Sequence, residues 1–295
     1  MRTLLKNFWN TLKKAFSQWW SKDPFKESAV IAYYAIFSLP GLLMVIITVA
    51  GYFFGQEAVN GQIKTQITSV MGSETAQQIQ DIIIKAALSK DSIWATLIGI
   101  GTILVGATGV FVQFQKSLNL IWKVEEDPTK AGIWNLIKER LFSFGFIIAV
   151  AFILMASFVV SAFLTAIGDL LVQYFSESLL VVLLVLNFII SLSTLMLLFA
   201  CMFKFFPNAK IKWRHVWLGS FLTALLFEIG KSAMGLYFGK AQPGSGYGQA
   251  GSIILIMLWV SYSSMLVFLG AEFTHSYAEL KDGPIPPDEN AKKLD

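Results

Sequence analysis

Apolar residues run along this chain in six stretches, at about 28–55, 92–122, 140–168, 177–206, 216–239 and 251–278. Each meets the requirement of roughly 20 mostly apolar residues for a helix that crosses a bilayer. The pattern predicts an all-α polytopic membrane protein, a bundle of six transmembrane helices over 28–280. Ahead of it, residues 1–27 place Leu5, Phe8, Trp9, Leu12, Phe16 and Trp19 at helical spacing, with Lys6, Lys13 and Lys14 elsewhere on the wheel. That is the signature of an amphipathic helix lying in the cytoplasmic interface, tryptophans at headgroup depth and lysines toward anionic lipid; a basic flanking segment that only sets orientation is compatible with it.

Between the first two spans, residues 56–91 carry two helical stripes, Ile63, Ile67, Val70 and Met71, then Ile79, Ile82, Ile83 and Ala86, separated by a stop and cap signal at Gly72-Ser73. They predict an outer-face insert of two amphipathic helices packed on the end of the bundle. The tail, 281–295, reads as a disordered cytoplasmic segment.

Composition supports the membrane class: 55% of residues are hydrophobic and 14% charged, against about 25% charged in soluble domains. Lys and Arg then orient the chain. Seventeen fall before the first span, between spans two and three, around the loop between spans four and five, and in the tail; the alternate loops hold only Lys64, Lys85, Lys90 and Lys240. The positive-inside rule puts both termini in the cytoplasm. An even number of spans agrees. The first span is too long for a signal-peptide core and is read as retained. A single cysteine, Cys201, excludes an intramolecular disulfide, and two histidines, His215 and His275, leave little for a zinc site.

Ionisable side chains inside spans are costly and require a partner or water. Lys116, Glu228, Lys231 and Glu272 are such residues. Glu228 falls roughly 18 Å into span five at about 1.5 Å per residue, near the midplane, with Lys231 one turn on; the two are either a self-neutralising pair or a substrate or proton site. In span two, Ala95, Gly99, Thr102, Gly106 and Gly109 form a small-residue seam that leads to Gln113, Gln115, Lys116 and Asn119. Matched depth and opposite charge suggest a contact between Lys116 and Glu272. Ser38-Leu39-Pro40-Gly41, just after Tyr33 and Tyr34, predicts an interruption in span one, since proline removes a helix donor; it is either a binding-site break or a simple packing kink. The glycine-rich stretch 239–251 lacks the lysine and hydroxyl ending of a phosphate loop and reads as a turn.

Ala32-Tyr33-Tyr34 through Ser38 and Pro40, Asn119 with Trp122, Phe206-Pro207-Asn208 followed by Trp213 to Gly219, and Tyr247-Gly248 through Trp259 to Gly270-Ala271-Glu272 together resemble the YihY/BrkB family of bacterial inner-membrane proteins. The resemblance covers about 25–280. It implies a multi-pass envelope protein, with members described as virulence or serum-resistance factors or linked to envelope lipid trafficking or transport, and it brings no catalytic residue set. A ribonuclease label carried by some members is rejected here on the residues, which offer neither a carboxylate and histidine cluster for metal ions nor a contiguous basic groove for nucleic acid.

The leading expectation is therefore transport without an enzyme activity, metal or cofactor. An ion, small solute or lipid-like amphiphile would move past Tyr33, Ser38 and Pro40 on a broken-helix wall, Gln113, Gln115, Lys116 and Asn119 in the cytoplasmic half, and Glu228, Lys231 and Glu272. The alternative is an envelope scaffold or lipid-organising protein whose charges are structural. A lipid-acting enzyme lacks a nucleophile and base. Membrane lipids are the expected surroundings, nucleic acid is excluded, and a homo-oligomer is compatible.

Overall fold

Helix formation follows the apolar stretches. The computed structural model describes residues 2–88, 109–127, 177–294 and short helical pieces within 145–160. Its helices are α1 (Arg2–Ser21), α2 (Pro24–Phe54), α3 (Gln56–Met71), α4 (Ser73–Leu88), α5 (109–121), α6 (Glu177–Phe205), α7 (Trp213–Ala241) and α8 (Gly251–Asp282). Two short strands, β1 (Val124–Glu126) and β2 (Ala291–Lys293), complete them. Among the described residues, three helices are long and apolar enough to cross a membrane: Val181–Phe205 of α6, all of α7 and all of α8. Most of the expected spans at 92–122 and 140–168 lies outside the described residues. So do Ala95, Gly99, Thr102 and Gly106 of the seam; the side chains of Leu5 and Lys6 and of Ile82, Ile83 and Ala86 are likewise outside.

α7 and α8 are joined by a short turn and the 3-10 helix Ser245–Ala250, and pack closely through a reciprocal glycine and threonine contact. Gly219 of α7 lies under Thr274 of α8, and Gly270 of α8 lies under Thr223 of α7, with no room for a Cβ at either glycine. Each threonine hydroxyl donates to the carbonyl of the glycine four residues earlier, at 2.7 Å. A small residue on each helix brings the two backbones together, so both hydroxyls are satisfied inside their own helix. Gly109 at the start of α5 makes the equivalent approach to α2: a Cβ there would lie 2.8 Å from Tyr34 Cδ1.

Two hydrophobic clusters follow. One joins Ile31, Phe114, Leu118, Trp122, Phe203, Val216 and Phe268, with Phe206 seated among Phe111, Phe114 and Phe146. The other joins Ile47 and Ala50 of α2, Val59 of α3, Ile79 of α4, Met155 and Ile256 of α8. Ile36, Leu39, Leu43 and Ile46 lie along the face of α2 that packs on it.

This packing corrects the expected break in span one: α2 runs uninterrupted through Ser38-Leu39-Pro40-Gly41. Proline deletes one backbone donor, which is a local loss. The continuous apolar face on either side holds the helix in one piece.

The tail is also corrected. Gly283, at φ +78°, turns the chain out of α8, a conformation that favours glycine. The following segment is ordered: β2 pairs antiparallel with β1, Val124 opposite Lys293 and Glu126 opposite Ala291. Pro287 bridges Ala209, the Lys210 N–H donates to Pro286 O at 3.0 Å, and Asp288 N–H to Asn208 O at 2.9 Å. Main-chain hydrogen bonds, which need no particular side chain, make a strap from a sequence whose mixed charges read as disordered.

Candidate functional site

α1 docks along α8 at the terminal end of the molecule, where both ends of the chain pack. Phe8 meets Phe273 edge-on at 5.5 Å, the Trp19 indole donates to Met265 O at 3.1 Å, and the Ser276 hydroxyl donates to Gln18 at 3.0 Å. Thus Trp19 is held by protein, whereas Trp9, Phe16 and Trp20 remain exposed. The interfacial reading of this helix is corrected to that extent: one face is a docking face for α8.

That docking delivers Lys22 to Glu272. Glu272 is completely buried in α8, one carboxylate oxygen is ion-paired with the Lys22 ammonium, and the other has no partner among the described residues. The expected Lys116 contact is not formed. Lys116 is exposed on α5, because Ser117 and Leu118 take the inward face of that helix. Sequence depth matched the two residues but did not supply their azimuth.

Beside this pair, Glu27 of α2 accepts from the Ser117 hydroxyl at 2.6 Å and the Gln113 amide at 3.4 Å. Glu27, Ser117, Lys22 and Glu272 line a cavity of about 20 Å³, on the order of the space for one water. From interleaved positions of α5, Asn119 Oδ1 accepts the Asn208 N–H at 2.8 Å, while the Gln115 amide donates to Asn208 Oδ1 at 3.1 Å. Asn208 follows Pro207, so these two contacts fix the loop after α6.

Further along α8, Glu279 pairs with Lys14 at 3.0 Å and Lys123 at 3.3 Å and faces His275, whose ring meets Trp122 edge-on at 5.2 Å. Asp282 gathers Lys212 and His215, each at 2.9 Å, and Arg214. Among the described residues, no three His, Cys, Asp or Glu side chains are grouped to hold a metal ion.

The remaining sequence candidates lie apart. Tyr33 is exposed, its ring against Tyr34 and Phe37. Ser38 is buried and donates to Ala35 O at 3.1 Å; Pro40 lies within the continuous α2. Glu228 and Lys231 pair within α7 at 2.6 Å. The structure thus brings Gln113 and Glu272 to neighbouring positions and joins Gln115 to Asn119, leaving Tyr33 and Lys116 outside. Sequence reasoning missed Lys22, Glu27 and Ser117. Glu27, an acid in the first turn of an apolar helix, was the available signal; Lys22 had been absorbed into the orientation count.

Two larger cavities flank the α7–α8 pair. One, about 730 Å³, is at the terminal end among Lys204, Asn208, Lys210, Lys212, His215 and Pro286. The other, about 610 Å³, is at the opposite, loop end among Thr68, Gly72, Gln78, Gly235, Gln242 and Ser252.

Long apolar helices whose surfaces carry exposed Phe, Leu, Ile and Val, closed at one end by a charged network, define an integral membrane protein of helical class. The chain belongs to the family described as virulence factor BrkB, whose model matches residues 15–295. A UPF0761 membrane protein of Pseudoalteromonas atlantica is 27% identical over 252 residues, 83% of this chain and 78% of that relative. Another, from Verminephrobacter eiseniae, is 26% identical over 226 residues, 74% and 49% of the two chains. A third, from Azotobacter vinelandii, is 24% identical over 267 residues, 90% and 62%. The match therefore spans about half of the second relative and under two thirds of the third. No solved structure matches this chain.

Proposed function

We propose that this protein crosses a bacterial inner membrane six times, with both termini in the cytoplasm, and moves an ion, small solute or lipid-like amphiphile between its helices. The observation that carries this reading is the Glu228–Lys231 pair. Glu228 is fifteen residues into α7, about 22 Å along the helix, and the side chains keep 19% and 34% exposure. Glu228 Oε2 is itself buried and has no partner among the described residues, and a half-buried charge pair with an unsatisfied oxygen midway along a span calls for water or a polar passage rather than hydrocarbon. Cavities at both ends of the α7–α8 pair support the same reading. No catalytic residue or cofactor is assigned.

A second reading, a scaffold or lipid-organising protein, is favoured by the terminal-end network. There Glu27, Gln113, Gln115, Asn119 and Glu272 are bonded directly to protein, and the space between Glu27 and Glu272 is only about 20 Å³. In the transport reading this is a closed gate, and in the scaffold reading it is permanent.

Single cysteines at Glu228, Lys231, Asn119, Lys116 and Tyr33 in a Cys201→Ser background, labelled from each side by membrane-impermeant thiol reagents, separate the two. Transport expects labelling at Glu228 and Lys231. Unreactive cysteines at both positions, with Ser73 and Ser245 controls reacting, would sink it in favour of the scaffold.

A further inference from the structure

The terminal-end cavity is built from the junction of two spans, the end of α6 and the start of α7, closed on one side by the strap after Gly283. Its lining brings Lys204, Lys210 and Lys212 together with Asp282 and Asp288, and Arg214 stands next to it. The carboxylates do not neutralise this set. Asp282 is shared among Lys212, Arg214 and His215, and Asp288 Oδ1 accepts the neighbouring Glu289 N–H at 2.8 Å. Lys204 is held in place by donation to Ile211 O at 2.5 Å, whereas the Lys210 side chain is exposed and makes no ion pair among the described residues. Four cations therefore surround two carboxylates. No side chain caps the first turn of α7, which starts at this cavity, so the positive end of that helix dipole adds to the potential.

The rim fixes the setting. Phe205, Trp213 and Trp217 form a continuous exposed aromatic row, with ring centroids 5.8 and 5.9 Å apart, at the ends of the spans that flank the cavity. Tryptophans at span ends mark the level of lipid headgroups, and basic pockets at that level attract anionic ones. We propose that this cavity is a binding site for a phosphate-bearing anion, with the phosphate facing Lys204, Lys210 and Lys212 and, where the ligand is a phospholipid, its acyl chains leaving past Phe205 and Trp213. The site is independent of whether the chain transports.

The test uses the full chain in nanodiscs of phosphatidylcholine doped with phosphatidylglycerol, counting the phosphatidylglycerol retained by native mass spectrometry after detergent release. Lys210→Gln and Lys212→Gln together should weaken retention by about fivefold per lysine. Lys64→Gln with Lys240→Gln, at the loop end, should leave it unchanged, and equal helicity by circular dichroism establishes that both variants are folded. Added inorganic phosphate distinguishes the sources. Displacement of the lipid means that free phosphate occupies the site, and persistence assigns it to the lipid headgroup. Equal retention by the parent protein and the Lys210 and Lys212 variant, or equal losses in both variants, would overturn the proposal.

Discussion

The two ends of the α7–α8 pair solve the same problem by different means. The terminal-end cavity carries Lys204, Lys210, Lys212, Asp282 and Asp288, while the loop-end cavity, only slightly smaller, is lined by hydroxyls, amides, glycines and a few apolar side chains, with no charged side chain among the described residues. At the terminal end, cross-links join segments far apart in sequence, Lys22 to Glu272 and Lys14 to Glu279. At the loop end the connections are backbone ones: Gly244 and Gly251 are packed so closely that a Cβ on Gly244 would lie 3.0 Å from Gly251 O, and Gly55 and Gly72 stop α2 and α3 at positive φ. The lesson is that one end depends on which charges meet, and the other on which residues tolerate an unusual backbone. Substitutions should therefore separate the two ends by mechanism.

The largest effect is expected at Lys22. Lys22→Ala leaves the fully buried Glu272 carboxylate without a counter-ion, and breaking such a pair from one side costs about 3 kcal/mol or more. A thermal melt of the detergent-solubilised protein, followed by tryptophan fluorescence, should show a large loss, and adding Glu272→Gln should recover most of it by removing the stranded charge. A double variant as unstable as Lys22→Ala alone would mean that Lys22 acts through packing. Next in size is Gly270→Val, which drives a side chain into Thr223 where there is no room for a Cβ. Overpacking of this kind costs about 2–3 kcal/mol. Partial rescue of Gly270→Ala by Thr223→Gly, and no rescue by a change at the loop end, would locate the strain at the α7–α8 contact.

These two sites also show what could be read from the chain beforehand. The helical class was legible, because apolar runs of this length admit few other structures, and Glu272 was recognisable as a buried charge requiring a partner. Its partner was not legible. Lys116 and Lys22 are equally plausible by charge and depth, and the choice is made by the azimuth of α5 and the docking of α1, which depend on long-range packing. The Gly270 and Thr223 contact was hidden for the same reason: both sequences read Gly-x-x-x-Thr, but the reciprocity exists only once α7 and α8 are antiparallel. Pro40 and the tail misled in opposite directions. A local breaker was overridden by a long apolar face, and a polar segment found order in backbone pairing.

At the loop end, Gly72→Ala should cost about 1 kcal/mol, entirely through the backbone. Gly72 has φ +89°, and nothing lies within 4 Å of where its Cβ would be, so no clash contributes. The same substitution at Gly61, which is helical and also has open space, should be neutral or stabilising. Equal melting shifts for the two would show that α3 and α4 do not need the turn at Gly72.

The smallest effect brings the comparison back to the terminal end and limits it. Lys292 and Glu125 form an ion pair at 2.9 Å across β1 and β2, but their side chains are 53% and 43% exposed. Water screens such a pair, so Lys292→Ala should cost no more than about 0.5 kcal/mol. The strap itself should survive, because its register is held by main-chain bonds such as Leu294 N–H to Lys123 O and Asp127 N–H to Asn290 O, each 3.0 Å. Hydrogen exchange can see this directly: the amides of Asp127 and Lys210 should keep their protection in Lys292→Ala and lose it when residues 284–295 are deleted. If Lys292→Ala alone released both amides, the strap would be held by charge, and the terminal end would owe its order to ion pairs even where they face solvent.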